Sequence, residues 1–313
     1  AKLHLHRVEK FKDSPVALSY GIGNGFIPGV GRTSEANGVP VKRMLVQGSE
    51  RNIDRSKYGA PELLLPKSQT IRYDGTHFED EDDFNASIAR TYQSNADGDS
   101  IERIDRVSDA TKEDSLDCSE IYPSRVGVVT SVVVADADKN FYDIVDATIP
   151  ENLNFNNYLI AGETMTIIFQ DGMLAGKEFD VKYKHTERKF EIVPQEIDGI
   201  VMPNATFAPY ANTDNPQHYA IFGIQLPDEY ICNNTDKSGG SWDMMRAAVK
   251  ALYESEDQRF TFTGPLQSLW AKRHWLDVGG KLIVGGHVLF KDDQFAKDGV
   301  IIRIVGIKDF LTQ

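Results

Sequence analysis

From residue 125 onward, apolar and polar positions mostly alternate, the two-residue period of strands with one buried face. "RVGVVTSVVVADADKNFYDIVDATI" predicts two β-branched strands joined at Asp138-Lys139-Asn140. "ETMTIIFQDGMLAGKEFDVKYKHTERKFEIVPQE" predicts three more, at 164–169, 177–183 and 188–193, the last two paired across Lys184-His185-Thr186-Glu187. Nearer the start, Val41 to Gln47 reads as a short strand. Leu63-Leu64-Leu65 reads as another, closed by Pro66, and "TIRYDGTHFED" as a strand turning at Asp74-Gly75.

Two stretches break the two-residue period. "EDEDDFNASIARTYQSNA" (79–96) predicts a helix with acids in its first turn and Phe84, Ile88 and Tyr92 as a buried stripe. In "SWDMMRAAVKALYESEDQ", Trp242, Met245, Val249 and Leu252 recur at three- and four-residue steps, so a helix is expected near 241–256 with Ser241 as N-cap. "RFTFTG", "GGKLIVGGHVLFKD" and "DGVIIRIVGIKDFL" read as closing strands, with Gly279-Gly280 and Gly285-Gly286 as bulges or bends around Lys281 to Val284. The expected class is mainly β (β-rich α+β): two or three small barrel- or sandwich-like domains with a few short helices. Breaks near Tyr122-Pro123-Ser124 and in the linker-like "APYANTDNPQ" divide the chain into 1–122, 123–212 and 213–313.

At 313 residues, two or three domains are expected. No apolar run approaches the ~20 residues that cross a bilayer, and the opening AKLHLH lacks a signal-peptide apolar stretch. The absence of an initiator Met points to an excised or processed chain. The net charge of −13 is unevenly spread. Residues 1–73 hold 12 Lys/Arg and 6 Asp/Glu, whereas 74–120 hold 4 and 15. An acidic chain is a poor wrapper of nucleic acid, while the opposed blocks suit either solvated faces or an oppositely charged neighbour. Cys118 and Cys232 form no metal knuckle; two unpaired thiols are expected over a single bridge.

Candidate chemistry is sparse. "GIGNGFIPGVGR" (21–32) has five glycines but fails both the dinucleotide and the P-loop spacing, so it reads as a mobile or partner-ordered loop. Phe26, Ile27 and Val30 are its candidate assembly contacts. His4 and His6 have no third ligand nearby. Asn95, Asp97 and Asp99, like Asp136, Asp138 and Asn140, alternate oxygen ligands as calcium loops do. Both lack the loop's Gly and bidentate Glu, and turn chemistry accounts for them. Glu79 to Asp83 could supply paired acids for glycoside cleavage or simply open a helix. Trp270, His274 and Trp275 of "SLWAKRHW" could form a sugar platform. On a strand, however, the two Trp would face opposite ways, which favours core packing for at least one. No catalytic residue, metal or cofactor is expected.

The wording of four segments adds a family. "KRMLVQGSERNIDRSKYGAPELLLPKSQTIRYDG", "EDSLDCSEIYPSRVGVV", "IFQDGMLAGKEFDV" and "FEIVPQEIDGIVMPN", with the closing "VGGHVLFKDDQFAKDGVIIRIVGIKDFLTQ", resemble tail proteins of gut-bacterial prophages, of the tail-tip or baseplate hub class. The resemblance covers most of 41–313 and contains no catalytic motif. It implies a β-rich virion component at the distal end of the tail, non-enzymatic, associating with itself as a ring or trimer and with neighbouring tail proteins, with a host-surface glycan as a further candidate partner. The alternative is a glycan-binding or glycan- or peptidoglycan-cleaving module of a tail-associated enzyme.

Overall fold

The computed structural model describes residues 10–20, 24–27, 31–34, 39–107, 110–257, 260–267, 270, 273–274, 278–292 and 296–307. The protein is mostly β, and its contacts divide it into two compact units. Val39–Asp257 forms the larger; Ala1–Gly38 with Gln258–Gln313 forms the smaller.

The larger unit holds two large sheets, each with its own core, and a two-stranded ribbon of Gln195–Ile197 with Ile200–Met202. The first runs in the order Thr70–Tyr73, Arg90–Ser94, Ser100–Arg103, Val41–Gln47, Lys112–Asp117. Only its last pair is parallel. In Val41–Gln47 the alternation sends Val41, Met44 and Val46 inward and leaves Leu45 exposed. The helix Gly240–Ser255 covers that inner face, burying Trp242, Met244, Met245, Ala248, Val249 and Leu252. At about 1.5–3 kcal/mol per large apolar side chain, this helix is the main apolar lid of the first core.

The second sheet is antiparallel throughout, in the order Ser131–Asp136, Phe141–Val145, Lys189–Ile192, Glu178–Lys184, Thr166–Phe169, His218–Phe222, Gly127–Val128. Both expected hairpins are present, the one across 184–189 with Tyr183 opposite Phe190. Phe179, Val181 and Tyr183 alternate inward to meet Phe155, Phe169, Phe190 and Tyr219.

The chain leaves the first sheet at Asp117, builds the second, and returns as the helix that closes the first core. That path explains why the expected lines near 122 and 212 separate no compact units. Asn52 pins the seam. It is buried, and its Nδ2 donates to Pro123 O at 3.0 Å and Ile221 O at 2.9 Å. Nearby, Asp54 N donates to Gln225 Oε1 at 2.6 Å.

The smaller unit joins both ends of the chain. Val16–Tyr20 lies between Gly25–Phe26 and His287–Asp292, parallel to both, and Ala296–Arg303 closes the far side. Gly31–Ser34 pairs antiparallel with Phe260–Thr263. Val16, Leu18, Trp270, Val278 and Val288 form its core.

Four local expectations are corrected. Residues 79–89 form turns and 90–94 a strand, not one helix. Asp74 accepts from Thr76 N, His77 N and Asn85 N, and Glu81 from Phe78 N, so local side-chain bonds outcompete helical ones. Ile88 is left exposed, while Tyr92 is buried as a strand residue. Leu63 to Leu65 is extended without a ladder: Leu63 N donates to Ser49 O and Leu65 N to Gly98 O. The long helix begins at Gly240, and Gly239 takes the N-cap place expected of Ser241. Residues 281–284 make turns, with Lys281 N and Leu282 N both donating to Val278 O.

Asn52 also holds φ at +58°, which Asn tolerates better than Ala. We expect Asn52→Ala to lower unfolding free energy by about 3 kcal/mol, since two buried carbonyls lose their donor. Urea unfolding measures this, and a loss under about 1 kcal/mol would refute the seam's role.

Candidate functional site

The buried charges come first, because perturbed acids in clefts are the usual mark of catalysis. Glu256, just past the long helix, is 3% exposed. Arg90 pairs with its carboxylate, Tyr92 Oη donates to it at 2.8 Å, and Arg103 approaches at 3.4 Å. Arg106 donates to Glu256 O at 3.2 Å and to Asp257 at 2.8 Å, while Arg90 also reaches Asp257 at 2.8 Å and covers the Tyr253 ring at 4.2 Å. Guanidinium groups here also complement the negative end of the helix dipole. Three strand- and loop-borne arginines thus clasp the helix end, with both carboxylates engaged.

Asp146, fully buried, is saturated in the same way. It accepts from Arg125 Nη1 at 2.9 Å, Tyr219 Oη at 2.8 Å, Val128 N at 3.2 Å, and Thr148 N and Oγ1 at 2.8 and 2.5 Å. Burial pushes its pKa up, but the bonds from Thr148, Arg125 and Tyr219 outweigh burial and hold it below the ordinary carboxylate value. Both clusters are structural ion-pair networks.

Of the acids of 79–83, the first two are likewise committed, and Glu81 accepts from Phe78 N. Glu79 pairs with Lys237, and Asp80 with Arg246 on the long helix at 2.6 Å. Part of the acidic block therefore neutralises basic groups of its own chain. In the two calcium-like stretches, Asn95 Oδ1 accepts from Gly98 N and Asp99 N, and Asp136 Oδ1 from Asp138 N and Lys139 N. These are Asx turns. Among the described residues no group of three or more His, Cys, Asp or Glu is placed to hold a metal.

Trp270 is 8% exposed and belongs to the smaller unit's core, with His274 stacked on it at 4.9 Å. His274 N donates to Trp270 O, a helical spacing, so the segment is not the strand assumed for a sugar platform. Trp275 lies outside the described residues. Phe26 is half-buried against Phe290, ring centroids 6.0 Å apart, and bridges to Leu266. Ile27 is exposed, and Val30 lies outside the described residues, as do His4 and His6. Cys118 and Cys232 are unpaired, and burial raises both thiol pKa values, the opposite of a reactive thiolate.

Sequence reasoning missed one pair. His218 Nδ1 lies 2.5 Å from Asp171 Oδ2, which also accepts from His218 N. Forty-seven residues separate them, and only the pairing of Thr166–Phe169 with His218–Phe222 brings them together. Among the described residues the His218 ring meets no hydroxyl or thiol.

What the larger unit leaves open is a sheet edge. Ser131–Asp136 is the outermost strand of the seven-stranded sheet and pairs only with Phe141–Val145. Val133 is 42% exposed and Val134 55%, and Phe141 in the next strand is 41% exposed. The ribbon Gln195–Ile197 with Ile200–Met202 also leaves Ile200 and Val201 exposed, while two other edges of this unit are guarded. Lys112–Asp117 carries Lys112, Glu113, Asp114 and Asp117, and Gly127–Val128 is two residues long. An open apolar edge presents backbone donors and acceptors to any added strand. No protein-family model, curated protein or solved structure matches this chain.

Two outcomes follow from these placements. Because the folded pKa of Asp146 is depressed, its contribution is present above the unfolded value of about 3.9 and is lost as pH falls through the lower folded value. Asp146→Asn should therefore cost about 3–5 kcal/mol at pH 7, with the gap to the parent narrowing below about pH 4. Urea titrations at several pH values check this. Phe26→Ala should cost about 1–2 kcal/mol through lost packing, whereas Ile27→Ala should stay within about 0.5 kcal/mol. Thermal unfolding of both variants separates the two roles.

Proposed function

We propose that this chain is a structural component of a prophage tail, at the tail tip or baseplate, which works by assembling with copies of itself and with neighbouring tail proteins. It carries no catalysis of its own, is made in the bacterial cytoplasm and resides in the virion tail. The observation that carries this reading is the open apolar edge Ser131–Asp136 on a sheet whose other end is only two residues long. The committed charge networks and the wording of 41–313 support it. Of the residues named for the glycan-binding alternative, Trp270 packs in the smaller unit's core.

Light scattering at micromolar concentration should give a mass of at least two copies of the 35.0 kDa chain. A monomer at every concentration, together with binding on a glycan array, would favour the alternative.

A further inference from the structure

We propose that the Ser131–Asp136 edge pairs with the same edge of a second copy, antiparallel about a two-fold axis at Val133, so that two sheets become one. This rests on reading the edge as an assembly surface; what it adds is the occupant and the register. Backbone ladders form only with another strand, and the described residues supply none on this side of Ser131–Asp136. A second copy brings an identical edge, and a two-fold interface is the commonest closed arrangement.

The register follows from side-chain chemistry. A two-fold axis perpendicular to the sheet keeps each face on its own side, and alternate residues share a face, so the axis must pass through a residue. The ladder irregularity between Val134 and Asp136 leaves Ala135 bulged, so the regular stretch ends at Val134. Centred on Val133, the pairing sets Val133 against its own copy and Val132 against Val134, so that all three valines meet valines. Centring on Val134 would instead set Val133 against the bulged Ala135, and centring on Val132 would set Val134 against Thr130.

Electrostatics agrees with this choice. The two copies of Asp136 fall about 20 Å apart, six residues at ~3.4 Å each, beyond a Debye length at ordinary salt. A parallel arrangement in register would place them side by side. Each chain carries −13, so salt should strengthen the association rather than weaken it.

Cross-linking of the full chain tests register directly. In a Cys232→Ser background, with Cys118 buried, Val133→Cys places two thiols on the axis, with Cα atoms about 4.5–5.5 Å apart, within disulfide reach. Mild oxidation should give at least several-fold more covalent dimer for Val133→Cys than for Val132→Cys or Val134→Cys alone. Mixing the latter two variants should restore cross-linking. Val133→Lys, at an exposed site, should weaken self-association at least tenfold by light scattering while leaving the circular dichroism unchanged. If the parent assembles, but Val133→Cys cross-links no better than its neighbours and Val133→Lys keeps the parent's mass, this pairing is wrong and assembly uses another surface. A strictly monomeric parent would overturn both this pairing and the assembly reading.

Discussion

The larger unit depends on the return of one helix. Gly240–Ser255 follows the whole second sheet in the chain, yet it closes the core of the first. Its apolar stripe supplies the attraction, and the clasp at its end supplies the direction. Glu256 can be buried only because Arg90, Arg103 and Tyr92 meet it there, and an unpaired carboxylate at that depth would cost several kcal/mol. Those partners sit on two strands of the first sheet, so the clasp also fixes where the helix stops. With the helix and the Asn52 bonds in place, the two sheets are held in one body, and the second sheet can present a long edge to the outside.

Much of this was legible in the alternation of residues. The strands at 41–47, 166–169, 178–184 and 189–192 follow it because one face of each is buried. The long helix was legible from Trp242, Met245, Val249 and Leu252. The stretch at 79–94 misled because acids at a helix start and acids that cap turns look alike in composition. Only the placement of Asp74, which gathers three backbone N–H groups, decides between them. Domain lines were illegible for a topological reason: an inserted sheet looks like a separate domain until the helix that comes after it is seen to pack before it.

The candidate surface was hidden for a related reason. Val132, Val133 and Val134 read as an ordinary strand, and strand order, which sequence periodicity does not encode, makes it an edge. Several of the described residues singled out for chemistry are engaged elsewhere. Trp270 fills a core, the acids at 79 and 80 hold the helix, and the Asn and Asp stretches close turns. Several buried charges are satisfied within the chain, while the apolar edge at Ser131–Asp136 stays open.

The central claim is that strand Ser131–Asp136 is the surface through which copies meet. Hydrogen exchange followed at low and high protein concentration tests it most directly, because amides at an open edge exchange freely until another strand covers them. The account expects slowed exchange on concentrating, confined to 131–135 and the adjoining edge. Unchanged exchange there, in a sample that scattering shows to be assembled, would contradict it.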